Sequence, residues 1–378
     1  MTEDVVELLQ SLIRIPSVHP EHTADDTISG ELNLAQHLAQ RLHEMGANVV
    51  LENVRENRPN LIARFAPRDG RPRILLGPHL DTVGIAGMTI DPFAATIDDG
   101  KIWGRGACDT KGPMAAMLWA LNAQRERLKS LPVAIDFVAF ISEESGQWGS
   151  KHFIQHHGVD YQFAVVGEPT AMQVVHVTKG SLWATLRAEG KSAHSSQPEL
   201  GENAIVRLIE SLSLLDREFS QEIRQFSHAV LGSPTMNLGV IRGGSMPNIV
   251  PNFAEAEMDM RVTPSLAAAG GGLALLKQFI QRHQLPITVV KAHENSPMEI
   301  PVDHPMIERL IACADFPCKA VGAPWFSDAA HLSAGGVPSI CIGPGSIEQA
   351  HTKDEWICIE SLRQGAKYFS DWIDSFEN

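Results

Sequence analysis

Short apolar runs that break off at acidic or imidazole residues constrain this chain more than any other feature. "RPRILLGPHLDT" is a strand-like run ending at His79 and Asp81. "VAIDFVAFISEE" ends in the adjacent carboxylates Glu143 and Glu144, and "YQFAVVGEPT" ends at Glu168. "VPSICIGPGSIEQAH" leads to His351. Between the first two runs lies "KGPMAAMLWALNAQRERL", a helix pattern with Pro113 in its first turn, where the missing N–H costs nothing. Strands alternating with helices predict an α/β fold, a mostly parallel sheet covered by helices. Ligands of such sheets bind at the carboxyl ends of the strands, and the charged residues stand at those ends.

The middle of the chain has another rhythm. "VVHVTKGSLWATLRAEG" alternates like a half-exposed strand, and "ENAIVRLIESLSLLDREF" has helical spacing. "TMNLGVIRGG" and "FAEAEMDMRV" are two further strands, followed by the helical "GLALLKQFIQRH" and the strand "PITVVKAHE". That β-α-β-β-α-β order is the ferredoxin-like α+β arrangement. Residues 177–292 are therefore expected as an inserted domain, with 1–176 and 293–378 forming one discontinuous domain around it. A chain of 378 residues is long enough for two domains.

Composition narrows the function classes. A formal net charge of −14 excludes a typical nucleic-acid surface, which needs Lys and Arg to displace counterions. No apolar run is long enough to span a bilayer. "MTEDVVELLQSLIRIPS" reads as an acidic amphipathic helix without the basic start and apolar centre of a secretory signal. The five cysteines are odd in number and irregularly spaced, so reduced thiols in a cytoplasmic protein are expected. "GRGA" lacks the third glycine of a dinucleotide fingerprint, "CDTKG" is no phosphate loop, and no G-x-S-x-G elbow is present.

The strand-end residues together make a set of histidines and carboxylates: His79, Asp81, Asp109, Glu143, Glu144, Glu168 and His351. So many carboxylates in one pocket repel one another and lose hydration, which divalent cations would relieve. A mixed nitrogen and oxygen donor set suits zinc, and also cobalt or manganese. One glutamate of the adjacent pair would then bind metal, and its neighbour would accept a proton from the attacking water. Asp109, in the glycine-bracketed "GRGACDTKG", is placed to bridge two cations. Asp81 lies two residues after His79, so in extended chain both side chains face one way, and Asp81 would hold the imidazole in one tautomer.

"GPHLDTV", "GRGACDTKGPMAAML", "SEESGQWGS", "VGEPT" and "GPGSIEQAHTKDEW", in this order, resemble the zinc aminoacylase/carboxypeptidase family, metallopeptidase family twenty. Acetylornithine deacetylases, succinyl-diaminopimelate desuccinylases and glutamate carboxypeptidases are its members. The resemblance implies two divalent ions, zinc foremost: His79 and Glu168 on one, Glu144 and His351 on the other, Asp109 between them. It implies Glu143 as general base and Asp81 as the partner of His79. "GKSAHSSQPELGENAI" is similar to the segment whose histidine, here His194, reaches a neighbouring subunit's site and stabilises the oxyanion, so a homodimer through the inserted domain is implied. "MPNIVP" and "MDMRV" resemble segments that supply a substrate-contacting asparagine and arginine, here Asn248 and Arg261. Lys179 and Ser327 match further substrate-side positions. The implied reaction is hydrolysis of an N-acyl amino acid, acetylornithine-deacetylase-like. A dipeptidase or carboxypeptidase of the same family is the alternative, and a non-catalytic ligand-binding descendant the remoter one. Glu168, where aspartate accompanies aminopeptidases and dipeptidases, leans toward the deacylase and carboxypeptidase members.

Overall fold

The computed structural model describes residues 4–377, so the first three residues of the expected N-terminal helix lie outside it. The helix runs Val5–Ile13; the Asp4 carboxylate caps it by accepting the Val6 N–H at 3.1 Å, and Leu8, Leu9 and Leu12 enter the core. By its contacts the chain divides into two compact units. One comprises the chain up to His176, Ile300–Val321 and everything from Ser327 on; the other comprises Val177–Glu299 with Gly322–Phe326.

The larger sheet has eight strands in the spatial order Asn48–Arg55, Arg58–Arg64, Ala134–Ala139, Arg73–Gly77, Phe163–Val166, Ser339–Cys341, Val174–Thr178, Ala320–Ala323. Its four central strands, Ala134–Ala139 through Ser339–Cys341, are parallel to one another. The strands flanking this centre run antiparallel to it, Arg58–Arg64 pairing against both Ala134–Ala139 and Asn48–Arg55 on one side, and Cys341 standing opposite Val175 on the other. The parallel character expected from the sequence thus belongs to the centre of the sheet. Its strands are buried along their whole length, which is why they read as apolar runs. Polar residues interrupt them at Arg73, Ser339 and Asp136, the buried Asp136 carboxylate accepting from Arg73 Nη1 at 2.6 Å and from the Tyr161 hydroxyl at 3.0 Å. The helix Lys111–Ala123 packs against Val5–Ile13 and Ile359–Asp374, and Trp148–His157 packs against Asp328–Ala334. A small third sheet joins Trp356–Cys358, Lys101–Trp103 and Thr96–Asp98.

The second unit carries a four-stranded antiparallel sheet in the order Thr235–Gly243, Phe253–Val262, Gly180–Glu189, Thr288–Asn295. Two helices, Ala204–Leu214 and Gly272–Arg282, complete the ferredoxin-like order. Leu182, Leu186, Met258 and Met260 from the strands and Leu208, Leu276 and Phe279 from the helices form its core. Alternate residues of Gly180–Glu189 are buried, the period-two pattern of a sheet covered on one face. Asn203 starts the first helix by accepting the Val206 N–H, and beyond Leu214 the chain widens into a π-type turn at Leu215–Phe219.

Two differences from the sequence reading have local causes. "VVHVTKGSLWATLRAEG" forms two strands, Val174–Thr178 in the larger sheet and Gly180–Glu189 in the smaller. At Gly180 an added Cβ would stand 2.3 Å from the Asn295 carbonyl oxygen, so the strands approach there as only glycine allows. That pairing, Asn295 opposite Ser181, carries the last strand one residue past the "PITVVKAHE" read from the sequence. Among the described residues no helix is long and apolar enough to cross a membrane.

Candidate metal centre

Parallel strands side by side bring their carboxyl ends to one edge, and the chain places titratable side chains at three of these four ends. His79 follows Arg73–Gly77, Glu143 and Glu144 follow Ala134–Ala139, and Glu168 follows Phe163–Val166. Asp109 stands just before the helix Lys111–Ala123, held against the Glu168 strand by the Thr110 hydroxyl, which donates to the Gly167 carbonyl at 2.6 Å. The Asp109–Thr110 peptide bond is cis.

The side chains converge. His79, 2% exposed, sets Nε2 at 3.0 Å from Asp109 Oδ1. His351 Nε2 lies 2.9 Å from Glu144 Oε2 and 3.4 Å from Asp109 Oδ2. Ligand atoms of His79, Asp109 and Glu144 all fall within 4.8 Å of one another. Asp109 therefore lies between the two histidines, one on each carboxylate oxygen. Glu168 is buried alongside, and its charge is, after burial, the chief cause of the raised Glu143 pKa.

Asp81 answers why two glutamates stand together. Its carboxylate accepts the backbone N–H of Glu143 at 2.9 Å through Oδ1 and that of Glu144 at 3.0 Å through Oδ2. It thereby holds the turn while both glutamate side chains stay free for other partners. Toward His79, the Asp81 backbone carbonyl is the nearer group, 2.9 Å from Nδ1, with Oδ1 at 3.5 Å. Both contacts favour a proton on Nδ1, which turns Nε2 toward Asp109 with its lone pair available to a cation.

The electrostatics are those of a crowded acid cluster. Burial and the Asp109 charge push the Glu144 carboxyl up to about 7. Burial, then Asp109, raises Glu168 well above the usual carboxylate range, and burial, then Glu168, does the same for Glu143. Burial would also raise Asp109, but hydrogen bonds from His351 and His79 outweigh it and hold its carboxyl low. Hydrogen bonds to Asp109 and Glu144 push the His351 imidazole up to about 10. Two buried carboxylate oxygens of this cluster, Glu144 Oε1 and Glu168 Oε1, lack a partner among the described residues. Orphaned carboxylate oxygens are costly without a cation. With two imidazoles beside them, they make a donor set that fits a divalent metal.

The description of peptidase family M20/M25/M40 matches residues 75–375. The chain belongs to this family. It is therefore a metal-dependent hydrolase of amide or peptide bonds. Acetylornithine deacetylase of Proteus mirabilis is 32% identical over 390 residues, covering 98% of this chain and 96% of that protein. The Photorhabdus laumondii protein of the same name is 33% identical, with 98% and 97% covered. Among solved structures, an M20 family metallo-carboxypeptidase from Sulfolobus solfataricus superposes with a TM-score of 0.79 at 20% identity, covering 99% of both chains. A Bacillus subtilis protein described as a dinuclear metal-binding M20 peptidase gives 0.70 at 14% identity, covering 99% of this chain and 98% of that one. These two show that the M20 fold is shared.

The other sequence candidates of this M20 chain divide between the two units. His194, Asn248, Arg261 and Lys179 belong to the second unit. His194 and Asn248 are exposed on adjoining segments, the Ser195 N–H donating to the Asn248 carbonyl at 3.1 Å. His194 Nδ1 is 2.8 Å from Ser196 Oγ. Arg261 Nε donates to Asp259 at 2.9 Å, and Lys179 Nζ to the Ser233 carbonyl at 2.6 Å. Ser327, in the first unit, is buried with Oγ 3.2 Å from Cys341 Sγ.

Further buried residues stand around the centre, and two of them, Glu31 and Glu355, escaped the sequence reading. The Glu31 carboxylate accepts the Ser142 N–H at 3.2 Å and pairs with Arg58, whose guanidinium also donates to Ser142 Oγ at 2.7 Å. Ser142 is left-handed, with φ of 62°, so this pair braces the turn into Glu143. Glu355 performs a similar service for the loop before Asp109. Asp328, fully buried and bonded to the Ser150 hydroxyl, has a carboxyl that burial raises to about 7. The only sequence signal for Glu31 and Glu355 is an acidic residue at the start of an apolar element, which many solvated positions share.

Proposed function

We propose that this chain hydrolyses the amide bond of an N-acyl amino acid, N-acetylornithine foremost, with two divalent cations, zinc first. One observation carries the reading: two imidazoles and three buried carboxylates converge around unpartnered carboxylate oxygens, in a chain about a third identical to acetylornithine deacetylases over nearly its full length. In this reading His79 and Glu168 hold one cation, Glu144 and His351 the other, and Asp109 serves both. When bound, the cations polarise the acyl carbonyl and supply a water nucleophile at neutral pH.

The chain's own residues do the rest. The Glu143 carboxylate takes the proton of the attacking water and returns it to the leaving amine. Asp81 keeps the Glu143–Glu144 turn in place and His79 in one tautomer. His194 of a neighbouring subunit donates to the developing oxyanion, a contact typically worth about 3 kcal/mol. Arg261 meets the substrate's α-carboxylate, with Asn248, Lys179 and Ser327 beside it. A homodimer through the inserted unit and a cytoplasmic location complete the reading, supported by the similarity of the segments around His194 and by the five free cysteines.

The test is hydrolysis of N-acetylornithine, N-succinyl-diaminopimelate and a dipeptide panel with added Zn²⁺ or Co²⁺. Highest kcat/KM on N-acetylornithine is the expected result. A clear preference for unacylated dipeptides overturns deacylation in favour of a dipeptidase. Metal binding without hydrolysis of any of them points to a ligand-binding descendant.

A further inference from the structure

We propose that Glu355 is a positioning residue that locks the Asp109 loop and the His351 segment into one rigid piece, and that the metal affinity of the centre depends on it. The inference rests on the reading of Asp109 and His351 as metal ligands. Glu355 is 1% exposed, and each of its oxygens takes two donors. Oε1 accepts the N–H of Cys108 at 2.7 Å and of Asp109 at 2.9 Å. Oε2 accepts the N–H of Gly106 at 3.0 Å and Arg105 Nη1 at 2.7 Å. A carboxylate has about four acceptor sites, so this one is saturated. Every donor comes from one short loop, the loop that ends in Asp109.

The other half of the device is the chain that carries Glu355. His351 is the exposed member of the cluster, its side chain 56% accessible and its backbone left-handed at φ 60°. The residues after it are anchored. Asp354 accepts the N–H of Thr89 at 2.7 Å, and Arg105 reaches the Thr352 carbonyl at 3.2 Å. The Glu355 carbonyl accepts the Gly104 N–H at 3.0 Å, and Trp356 then pairs with Trp103 in the small sheet. Loop and segment thus hold each other by main chain and side chain together. At Gly106, φ of 81° lets the loop turn its N–H inward toward Oε2. Two candidate ligands distant in sequence thus take their relative placement from a joint with one buried side chain at its centre, which is not itself among the candidate ligands.

The Glu355→Gln variant tests this. The amide presents NH₂ where Oε1 or Oε2 accepts, leaving two of the four donors without an acceptor. Zinc affinity of metal-free protein, measured by competition with a chromophoric chelator, is expected to fall about 10- to 100-fold. The visible absorption of the Co²⁺-loaded protein is expected to shift with the altered coordination. Asp136→Asn is the control, because it removes a buried ion pair of the same sheet unit away from the centre; it should lower the melting temperature and leave affinity and spectrum alone. A folded Glu355→Gln protein with wild-type zinc affinity and cobalt spectrum overturns the inference, whatever its melting temperature. Should that variant not fold, Arg105→Lys keeps the charge and loses the contact to the Thr352 carbonyl; a several-fold loss of affinity supports the inference, and wild-type affinity overturns it. A wild-type protein that binds neither zinc nor cobalt sinks the metal reading itself, so the two failures are distinguishable.

Discussion

The strand-end cluster of the first unit and the exposed candidates of the second solve opposite problems. Glu144, Glu168 and Asp109 are buried like charges, and their surroundings hold them many times over: Asp81 on two amides, Glu31 on a third, Glu355 on three more. His194 and Arg261 have one or two local partners each and sit on loops or open strand faces. Crowded carboxylates must be fixed because any slack lets them move apart and become hydrated. A lone donor facing solvent carries no such debt and can be placed by a short loop. Truncations of the candidate ligands and their braces in the first unit should therefore disturb metal binding or stability along with turnover, and truncations in the second should change kinetics alone.

Glu143→Ala separates chemistry from coordination within the cluster and should have the largest effect. Metal content by elemental analysis should stay at the wild-type level, while kcat drops about 10³- to 10⁴-fold, the upper range of what a positioned base contributes. Loss of metal in this variant would mean that Glu143 is itself a ligand, and the division of labour between the two glutamates would need reversing. His194→Ala comes next, with a drop of about 10²- to 10³-fold in kcat and no change in metal content or melting temperature. Mixing it with Glu143→Ala protein should restore part of the activity, because a mixed dimer holds one site with both groups intact. Absence of any recovery counts against a site shared between subunits.

The same contrast explains what was legible in the sequence. A strand buried on both faces must be apolar throughout, so an abrupt carboxylate or imidazole at its end stands out, as at His79, Glu143 and Glu168. The ferredoxin-like unit was legible because its strands alternate and its helices have their own period. The antiparallel margins of the large sheet were not, since strand direction leaves no mark in a short apolar run. Nor was the split at Gly180, because the β pattern continues unbroken through Lys179 while the chain changes sheets. The bracing carboxylates Glu31 and Glu355 were invisible for a further reason. Glu355 binds mainly backbone N–H groups, which every residue but proline carries, and Glu31 binds one such group and an arginine 27 residues away, so no residue type nearby signals either contact.

Asp81→Asn tests the bracing itself with a smaller expected loss. An amide can accept only one of the two N–H groups of Glu143 and Glu144, leaving a buried donor unsatisfied at a cost of about 1–3 kcal/mol. That cost should show in chemical denaturation of the metal-free protein, and kcat should fall about 10- to 100-fold. An unchanged denaturation midpoint would mean that the turn is held without Asp81.

Arg261→Ala should be the mildest and the sharpest test of the contrast. The side chain is 36% exposed and among the described residues pairs with Asp259 two residues away, an interaction of the kind that contributes little to stability. Denaturation and metal content should therefore be indistinguishable from wild type. If the guanidinium meets the α-carboxylate equally in ground and transition states, KM for N-acetylornithine should rise about tenfold with kcat unchanged. An N-acetylated amine lacking that carboxylate should then be hydrolysed equally well by both proteins. A fall in kcat at constant KM would instead place Arg261 in the transition state, and the second unit would have to be held as exactingly as the first.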